Sequence, residues 1–168
     1  ALIVGLGSIG QRHLRNLRRL KPEVQISAVR RTRTAPVLSD NNQVITGANI
    51  SRHYDLKEFD SLDSALGECP DIVFVTNPSN IHIDVTAKAL DSGAFVFVEK
   101  PLSCNWDGVE ELAKAERAQG GKKIAIGYHF RFHPAMKLVK SMLEQDRIGR
   151  IVSARQVNGE YLPGWHPY

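Results

Sequence analysis

The sequence contains few cysteines, few aromatic residues and no long apolar run. Two of its 168 residues are cysteine and 7% are aromatic. Cys69 and Cys104 form no pair or cluster at a metal-binding spacing, so we expect neither a metal site nor a disulfide framework. No apolar stretch reaches the roughly 18 residues of a membrane-spanning helix, and no leader peptide is recognisable. These absences favour a cytoplasmic protein with reduced thiols that does not bind membranes.

Basic residues outnumber acidic ones, with 22 Lys and Arg against 18 Asp and Glu. The excess lies near the start of the chain, and no recognised nucleic-acid-binding module accompanies it. A solvated helix face explains such a cluster better than a nucleic-acid partner does. The basic residues concerned are Arg12, Arg15, Arg18, Arg19, Lys21, Arg30, Arg31 and Arg33.

Short apolar runs alternate with helix-like stretches along most of the chain. This pattern is typical of βαβ units that build a parallel sheet, and continuously apolar runs indicate strands covered on both faces. We therefore predict an α/β fold with a doubly wound parallel Rossmann sheet. Strands are expected at 2–4, 24–29, 71–76, 95–98 and 123–126, and helices at 9–20, 62–66, 83–92 and 107–119; residues 39–55 are expected to form a helix or loop and then a very short strand near His53 and Tyr54.

The pattern changes after Gly127. A helix opened by proline is expected over 134–145, and alternating residues over 151–158 predict a strand that finds no later partner in the sequence. We therefore expect a dinucleotide-binding domain over residues 1–127. Residues 128–168 would supply a junction helix and the first strand and loop of a truncated α+β substrate domain.

A glycine-rich motif, GLGSIG, lies directly between the first predicted strand and the first predicted helix. In this context the first glycine permits a tight turn, the second lets a pyrophosphate approach the backbone, and the third lets helix pack on strand. The helix N-terminus then faces the anion. A tight turn without a ligand is the alternative. The predicted dinucleotide contacts here are Gly5, Gly7, Ser8, Ile9 and Gly10.

Arginines follow the second predicted strand, where many dinucleotide-binding folds carry an acid that binds the ribose 2′-hydroxyl. Arg30, Arg31 and Arg33 stand there instead. An acid would repel a 2′-phosphate, whereas guanidinium groups pair with it bidentately. We therefore predict that NADP is preferred, with NAD as the alternative. A simpler interpretation is that these side chains project into solvent from the loop.

Three further motifs follow later predicted strands: TNPSNIH at 76–82, EKPLS at 99–103 and GYHFRFHP at 127–134. Together with the glycine motif, and in this order, they resemble the Gfo/Idh/MocA family of NAD(P)-dependent oxidoreductases, the group of glucose-fructose oxidoreductase and inositol dehydrogenase. The four motifs span nearly the whole chain. They are specific for the family but say little about the substrate.

The resemblance implies an enzyme that transfers hydride between a nicotinamide and a secondary hydroxyl or ketone of a sugar, a sugar derivative or a cyclitol. It implies that Glu99 lies near the nicotinamide ribose and that Lys100 is catalytic at the reacting substrate oxygen. A cationic donor there would stabilise charge that develops in the transition state. An exposed lysine capping a solvated turn is the alternative. Implied cofactor contacts are Thr76, Asn77, Pro78, Ser79, His82, Glu99 and Lys100.

Substrate contacts are implied at the domain junction for Tyr128, His129 and Arg131, although many family members have asparagine in place of His129. Trp165 and His166 either contact the substrate or belong to an ordinary exposed loop. The aspartate and histidine that work with the lysine in this family would lie beyond residue 168, so the fragment alone should turn over little substrate. We expect the full-length protein to be a homo-oligomer through that missing domain. A non-catalytic NAD(P)-sensing regulator on the same fold is the alternative function.

Overall fold

A six-stranded parallel sheet forms the core of the computed structural model, which describes residues 1–31, 35–159 and 161. All five strand pairings in this sheet are parallel, and a separate pair of two-residue strands is antiparallel. The strands are β1 (Leu2–Val4), β2 (Ser27–Val29), β3 (Val37–Leu38), β4 (Val44–Ile45), β5 (Lys57–Phe59), β6 (Ile72–Val75), β7 (Phe95–Val98) and β8 (Ile124–Ile126).

The strand order in the sheet is β5-β2-β1-β6-β7-β8. Counted along the chain without the antiparallel pair, this is the order 3-2-1-4-5-6 of dinucleotide-binding sheets. The order reverses between β1 and β6, and open α/β sheets bind their ligands at the carboxyl ends of the strands beside such a reversal. The predicted fold class is confirmed, and the topology places the motifs that follow β1, β6 and β7 at this edge.

Within the described part of the chain, six α-helices accompany the strands. The longest follows β1 and buries Leu14 completely on the sheet. The helix after β6 buries Val85, Ala89 and Leu90 in the same way. The helices are α1 (Ser8–Leu20), α2 (Ile50–Tyr54), α3 (Leu62–Leu66), α4 (His82–Asp91), α5 (Val109–Ala118) and α6 (Pro134–Glu144), and short 3₁₀ turns lie at Ser79–Ile81 and His129–Phe132.

The core is divided between the two faces of the sheet. Leu2 and Val4 pack in one cluster, whereas Ile3 between them packs in the other, because successive side chains of a strand point to opposite faces. Burying one such aliphatic side chain contributes about 1.5–3 kcal/mol. Because both faces of the sheet are covered, the central strands are continuous apolar runs in the sequence.

The arginines of α1 bind the protein's own backbone and side chains. Arg15 donates to the carbonyl of Leu38 and pairs with Asp40, and Arg19 reaches the same carboxylate. Arg18 donates to the carbonyl oxygens of two segments that follow the helix. Three arginines of the basic cluster thus make hydrogen bonds or ion pairs within the fold.

The segment between β2 and β5 differs from the prediction. Residues 53 and 54 do not form a strand; they end α2, which Asn49 caps by accepting a hydrogen bond from the N–H of Arg52 at 3.1 Å. Asp55, with φ of 51°, turns the chain out of the helix, and the strand begins two residues later as β5. The β3–β4 pair was not predicted because two-residue strands carry too few side chains to show a period.

Residues 129–168 form a second compact unit, separate from residues 1–128. Its helix α6 begins at Pro134, and the ring of His133 caps it by accepting from the N–H of Ala135. The predicted strand over 151–158 is not formed: these residues are exposed and carry no regular structure. A strand is stable only when its backbone pairs with another strand, and this segment pairs with none among the described residues.

Candidate functional site

The glycine motif forms a tight turn packed closely against neighbouring backbone. Gly5 has a φ of +98°, and a Cβ on it would lie 2.9 Å from the backbone of Asn77. A Cβ on Gly10 would lie 2.0 Å from the carbonyl oxygen of Gly5. By contrast, a Cβ on Gly7 would meet no described heavy atom within 4 Å beyond its chain neighbours. Packing therefore requires the first and third glycines, and the second faces open space that a ligand can enter.

Helix α1 begins directly behind this open space. Gly7 is the N-cap and has no side chain with which to cap the helix, and the first helical bond runs from the N–H of Gln11 to Gly7. The preceding N–H groups of the first turn are the donors that an anion at a helix N-terminus uses. The turn, the open space and these donors fit the pyrophosphate of a dinucleotide.

Gln11 attaches the glycine motif to the β3–β4 pair. Its side chain is 1% exposed, and its Nε2 donates to the carbonyl oxygens of Leu6 at 3.1 Å and of Pro36 at 2.9 Å. Its Oε1 accepts from the N–H of Leu38 at 2.8 Å. The amide thus forms hydrogen bonds through both its nitrogen and its oxygen, and these bonds fix the chain at Pro36 and Leu38.

The segment after β6 packs on the glycine motif. The hydroxyl of Thr76 lies 2.6 Å from the carbonyl oxygen of Gly5 and donates to it, so this hydroxyl is used within the fold. The Oδ1 of Asn77 is buried and finds no hydrogen-bond partner among the described residues. A buried acceptor without a partner is costly, and a bound ligand would supply the missing donor. Asn77 is therefore better suited than Thr76 to contact a cofactor through its side chain.

Glu99 is held by a histidine that the sequence analysis missed. His13, on α1, donates from Nε2 to Oε1 of Glu99 at 2.7 Å. The ring of His13 packs against those of Phe74 and Phe97, with centroids 5.7 and 4.9 Å away. A Cβ on Gly127 would lie 3.3 Å from the Glu99 carboxyl, so this carboxyl also packs against β8's end. The carboxylate therefore bridges the helix behind the glycine motif and the strand end that carries Lys100.

The charge of Glu99 follows from these contacts. Burial acts to raise the pKa of Glu99, but the hydrogen bond from His13, the backbone N–H of Lys100 at 3.1 Å and the positive charges of both residues act in the other direction. Together they outweigh burial, so the pKa of Glu99 lies below its usual value. The site therefore contains an ionised carboxylate at neutral pH.

Lys100 is exposed, while the backbone on either side of it is anchored. The N–H of Glu99 donates to the carbonyl of Val75 at 2.9 Å, and the carbonyl of Pro101 accepts from His82 at 2.8 Å. The Lys100-Pro101 peptide bond is cis. An exposed ammonium on an anchored backbone is well suited to meet a ligand that arrives from solvent.

His82 begins α4 as expected, but its ring lies inside the protein. It is 0% exposed, and each ring nitrogen lies 2.8 Å from a backbone carbonyl oxygen, Nδ1 from that of Pro101 and Nε2 from that of Asn77. Both nitrogens are thus used within the fold. Of the other residues predicted here, Pro78 is exposed and Ser79 is half-buried at the start of a 3₁₀ turn.

The arginines after β2 are placed differently from one another. Arg30 is turned into the sheet, with 6% of its side chain exposed and its Nη2 2.8 Å from Oε1 of Glu58 on β5. Glu58 also accepts from the hydroxyl of Ser51. Arg31 is exposed, and Arg33 lies outside the described residues. The sequence analysis missed Glu58 because nothing in Lys57-Glu58-Phe59 indicates which arginine it meets.

The structure describes three of the five predicted substrate contacts. Tyr128 is exposed and lines a cavity of about 360 Å³ together with Pro101 and Trp106. His129 and Arg131 are exposed in the 3₁₀ turn that opens the second unit. Trp165 and His166 lie outside the described residues. Across 1–31, 35–159 and 161, the structure contains no cluster of side chains suited to a metal and no helix able to cross a membrane.

Known enzymes are similar to this chain in sequence. Inositol 2-dehydrogenase of Salmonella typhimurium is 26% identical over 163 residues, which cover 96% of this chain and 46% of that protein. 1,5-Anhydro-D-fructose reductase of Ensifer adhaerens is 30% identical over 115 residues, covering 65% of this chain and 34% of that protein. The chain thus spans less than half the length of these relatives.

Solved structures agree on the fold. Scyllo-inositol dehydrogenase of Lactobacillus casei, with bound NAD(H) and scyllo-inositol, superposes with a TM-score of 0.70 at 24% identity over 89% of this chain and 42% of that one. The WlbA dehydrogenase of Chromobacterium violaceum, in complex with NADH and UDP-GlcNAcA, gives 0.74 at 22% identity over 89% and 41%. The profile of the GFO_IDH_MocA oxidoreductase family, NAD-binding Rossmann fold, matches residues 1–128. The chain therefore belongs to the Gfo/Idh/MocA family of oxidoreductases, and residues 1–128 are its NAD(P)-binding Rossmann domain.

Proposed function

We propose that this protein is an NAD(P)-dependent dehydrogenase or reductase acting on a secondary hydroxyl or ketone of a sugar, a sugar derivative or a cyclitol. The observation that carries the proposal is the exposed Lys100, fixed beside an ionised Glu99 at the sheet edge that also holds the glycine motif. Relatives named for inositol and 1,5-anhydro-D-fructose support polyol and sugar substrates.

Lys100 would serve the reaction at the substrate oxygen. When bound, the nicotinamide supplies or accepts the hydride. In the reducing direction, the Lys100 ammonium donates to the carbonyl oxygen and stabilises the negative charge that grows there. The Glu99 carboxylate would lie toward the nicotinamide ribose. We place Tyr128, His129 and Arg131 among the substrate contacts and the remaining proton-transfer residues beyond residue 168.

The phosphate-bearing cofactor NADP would be preferred over NAD. Arg31 is exposed after β2, and Arg33 follows it in the sequence. Arg30 supports this preference indirectly. Its pairing with Glu58 neutralises a negative charge that would otherwise repel a 2′-phosphate bound at the end of β2. NAD remains the alternative, and the NAD(H) in scyllo-inositol dehydrogenase belongs to that relative alone.

The second unit would begin a substrate domain. Helix α6 exposes Met136, Leu138, Val139 and Leu143, a stretch of apolar surface that a larger domain would cover. The inositol 2-dehydrogenase relative is more than twice as long as the matched region, which leaves room for such a domain. We place homo-oligomer contacts there as well, and the protein in the cytoplasm. Gel filtration of the intact protein would test the oligomer.

The decisive experiment is a turnover assay of the intact protein. Purified protein is incubated with NADP or NAD and with myo-inositol, scyllo-inositol or a UDP-amino sugar, and with NADPH and 1,5-anhydro-D-fructose for the reverse direction. Appearance or loss of nicotinamide absorbance with one of these substrates would support the proposal. Tight cofactor binding without turnover of any of them would favour the NAD(P)-sensing regulator instead.

A further inference from the structure

His82 lies between the two segments that leave neighbouring strands at the ligand edge of the sheet. Its ring is fully buried, with Nε2 2.8 Å from the carbonyl oxygen of Asn77, after β6, and Nδ1 2.8 Å from that of Pro101, after β7. Both distances are those of good N–H···O hydrogen bonds. One side chain therefore joins two segments that α4 and β7 separate along the chain.

The chemistry of the two partners determines what the ring must carry. A carbonyl oxygen only accepts hydrogen bonds, whereas a neutral imidazole has one N–H donor and one lone pair. Within the described residues, these two carbonyls are the hydrogen-bond partners of the ring. The ring therefore donates an N–H to at least one of these carbonyls, and both carbonyls hold it in place at 2.8 Å.

The bonds of His82 continue a path from the glycine motif to Lys100. Gly5 packs against the backbone of Asn77, whose carbonyl binds His82. His82 binds Pro101, which directly follows Lys100. On the other side, the N–H of Lys100 is bound by the Glu99 carboxylate at 3.1 Å. The backbone of Lys100 is thus anchored on both sides, and His82 is the anchor that relates it to the glycine motif.

We propose that His82 is a positioning residue: its buried ring joins the carbonyls of Asn77 and Pro101 and so fixes the distance between the cofactor-binding turn and Lys100. The ring does not touch the reacting atoms. Its functional consequence rests on the proposed dehydrogenase activity, whereas the two hydrogen bonds do not. A shift of Lys100 by about 1 Å would be costly, since misplacement on that scale lowers rates by about a hundredfold in enzymes.

The first test measures the ring directly. The intact protein is labelled with ¹⁵N-histidine, and the His82 signals are assigned by their loss in His82→Gln. We expect a ring N–H of His82 that is protected from exchange, whereas a ring N–H of exposed His53 should exchange rapidly. A His82 ring N–H that exchanges as fast as that of His53 would overturn the proposal, and this result needs neither substrate nor turnover.

The second test measures what the ring holds in place. His82→Leu removes the hydrogen bonds of the ring at similar volume, His82→Gln retains an amide donor, and His53→Gln on α2 is the control. In folded His82→Leu, amide exchange at Lys100 should accelerate by about tenfold or more, with partial recovery in His82→Gln. Unchanged exchange at Lys100 would overturn the positioning role. If His82→Leu does not fold, the ring measurement and His82→Gln decide.

Turnover separates this inference from the proposed function. In the active intact protein, His82→Leu should lower kcat by about tenfold or more while cofactor Kd changes by less than about threefold. Equal kcat in folded variant and parent would overturn the positioning role. A parent protein that binds cofactor but turns over no substrate would instead refute the proposed function, and the exchange result at Lys100 would still decide the inference.

Discussion

His13 Nε2 donates to Glu99 Oε1 at 2.7 Å across 86 residues of sequence. The bond joins α1, which begins at the glycine motif, to the end of β7, where Lys100 follows. Both side chains are largely buried, with 18% and 12% of their areas exposed. A cofactor seated on the glycine motif would therefore contact a helix that is hydrogen-bonded directly to the strand end that carries Lys100.

The Glu99 carboxylate should stabilise the protein in a pH-dependent way. Its pKa is lowered from the ordinary 4.5 in the folded protein, so its contribution is present above that value and is lost as the pH falls through the folded pKa. Glu99→Gln should therefore lower the free energy of unfolding at neutral pH by about 1–3 kcal/mol, as expected for a hydrogen bond to a charged group, and by much less in acid. Urea unfolding at several pH values measures this.

Glu68→Gln is the matched control for that prediction. Glu68 pairs with Lys57 at 3.0 Å, but both side chains are about 60% exposed, so the change should cost less than about 1 kcal/mol. A pH-independent loss in Glu99→Gln, or an equal loss in Glu68→Gln, would contradict a specific role for the His13–Glu99 bond.

Lys100→Ala should abolish most turnover and leave the fold intact. The side chain is exposed, so its removal disturbs no packing. Loss of a positioned proton donor typically lowers kcat by about 10²–10⁴-fold. The cofactor Kd, measured by nicotinamide fluorescence, should change by less than about threefold. Lys114→Ala, an exposed position on α5, is the control, and a fully active Lys100→Ala enzyme would refute the catalytic role.

Arg31→Ala should weaken NADPH binding by about tenfold and leave NADH binding unchanged, because it removes one charged contact to a 2′-phosphate. Arg30→Ala should instead lower stability by about 3–5 kcal/mol, since it leaves the largely buried Glu58 without this partner. Fluorescence titration and thermal unfolding separate the two effects.

The double variant Arg30→Met/Glu58→Gln makes this test sharper. It removes both charges of the buried pair together, so the preference for NADPH should persist while Arg31 remains. If the double variant loses the preference and Arg31→Ala retains it, the roles assigned to the two arginines are reversed. If the parent protein binds NADPH and NADH with equal affinity, the predicted preference for NADP is wrong.

Gly7→Ala and Gly10→Ala add the same methyl group with different expected results. At Gly10 the methyl would lie 2.0 Å from the carbonyl oxygen of Gly5, so stability should fall by about 1–3 kcal/mol or more. At Gly7, where φ is −69°, the methyl meets open space, so stability should hold while cofactor affinity falls. Thermal unfolding paired with cofactor titration measures both, and a stable, tightly binding Gly10→Ala would contradict the close packing.

Local patterns in the sequence were enough to predict the parallel sheet, the glycine turn and the strand-end motifs. Apolar runs and glycines act over a few residues, so one sequence displays them. His13 could not be predicted, because its partner lies 86 residues away and nothing local marks the pair. The Arg30–Glu58 pair was missed for the same reason, since the two lie on neighbouring strands of the sheet that are separated by a long connection.

The predicted strand over 151–158 shows a different limit. Its residues alternate as a strand requires, but alternation gives only the faces of a strand and not the neighbour that must complete its hydrogen bonds. The identification of His82 as a cofactor contact shows a third limit: the motif correctly placed the residue at the start of α4, yet only the fold shows that its ring faces two carbonyls.

The arginine-rich segment is bounded by two fixed points. Before it, the N–H of Gly5 binds the carbonyl of Val29 at 2.8 Å; after it, Gln11 holds Pro36 and Leu38. The two anchors that flank this segment, Val29 on one side and Pro36 and Leu38 on the other, are therefore both set by the glycine turn and by the helix that follows it. If cofactor choice depends on the arginines between these anchors, as proposed, substitutions there can change it without altering the sheet. Arg30 is the exception, because its replacement leaves Glu58 on the neighbouring strand without this partner.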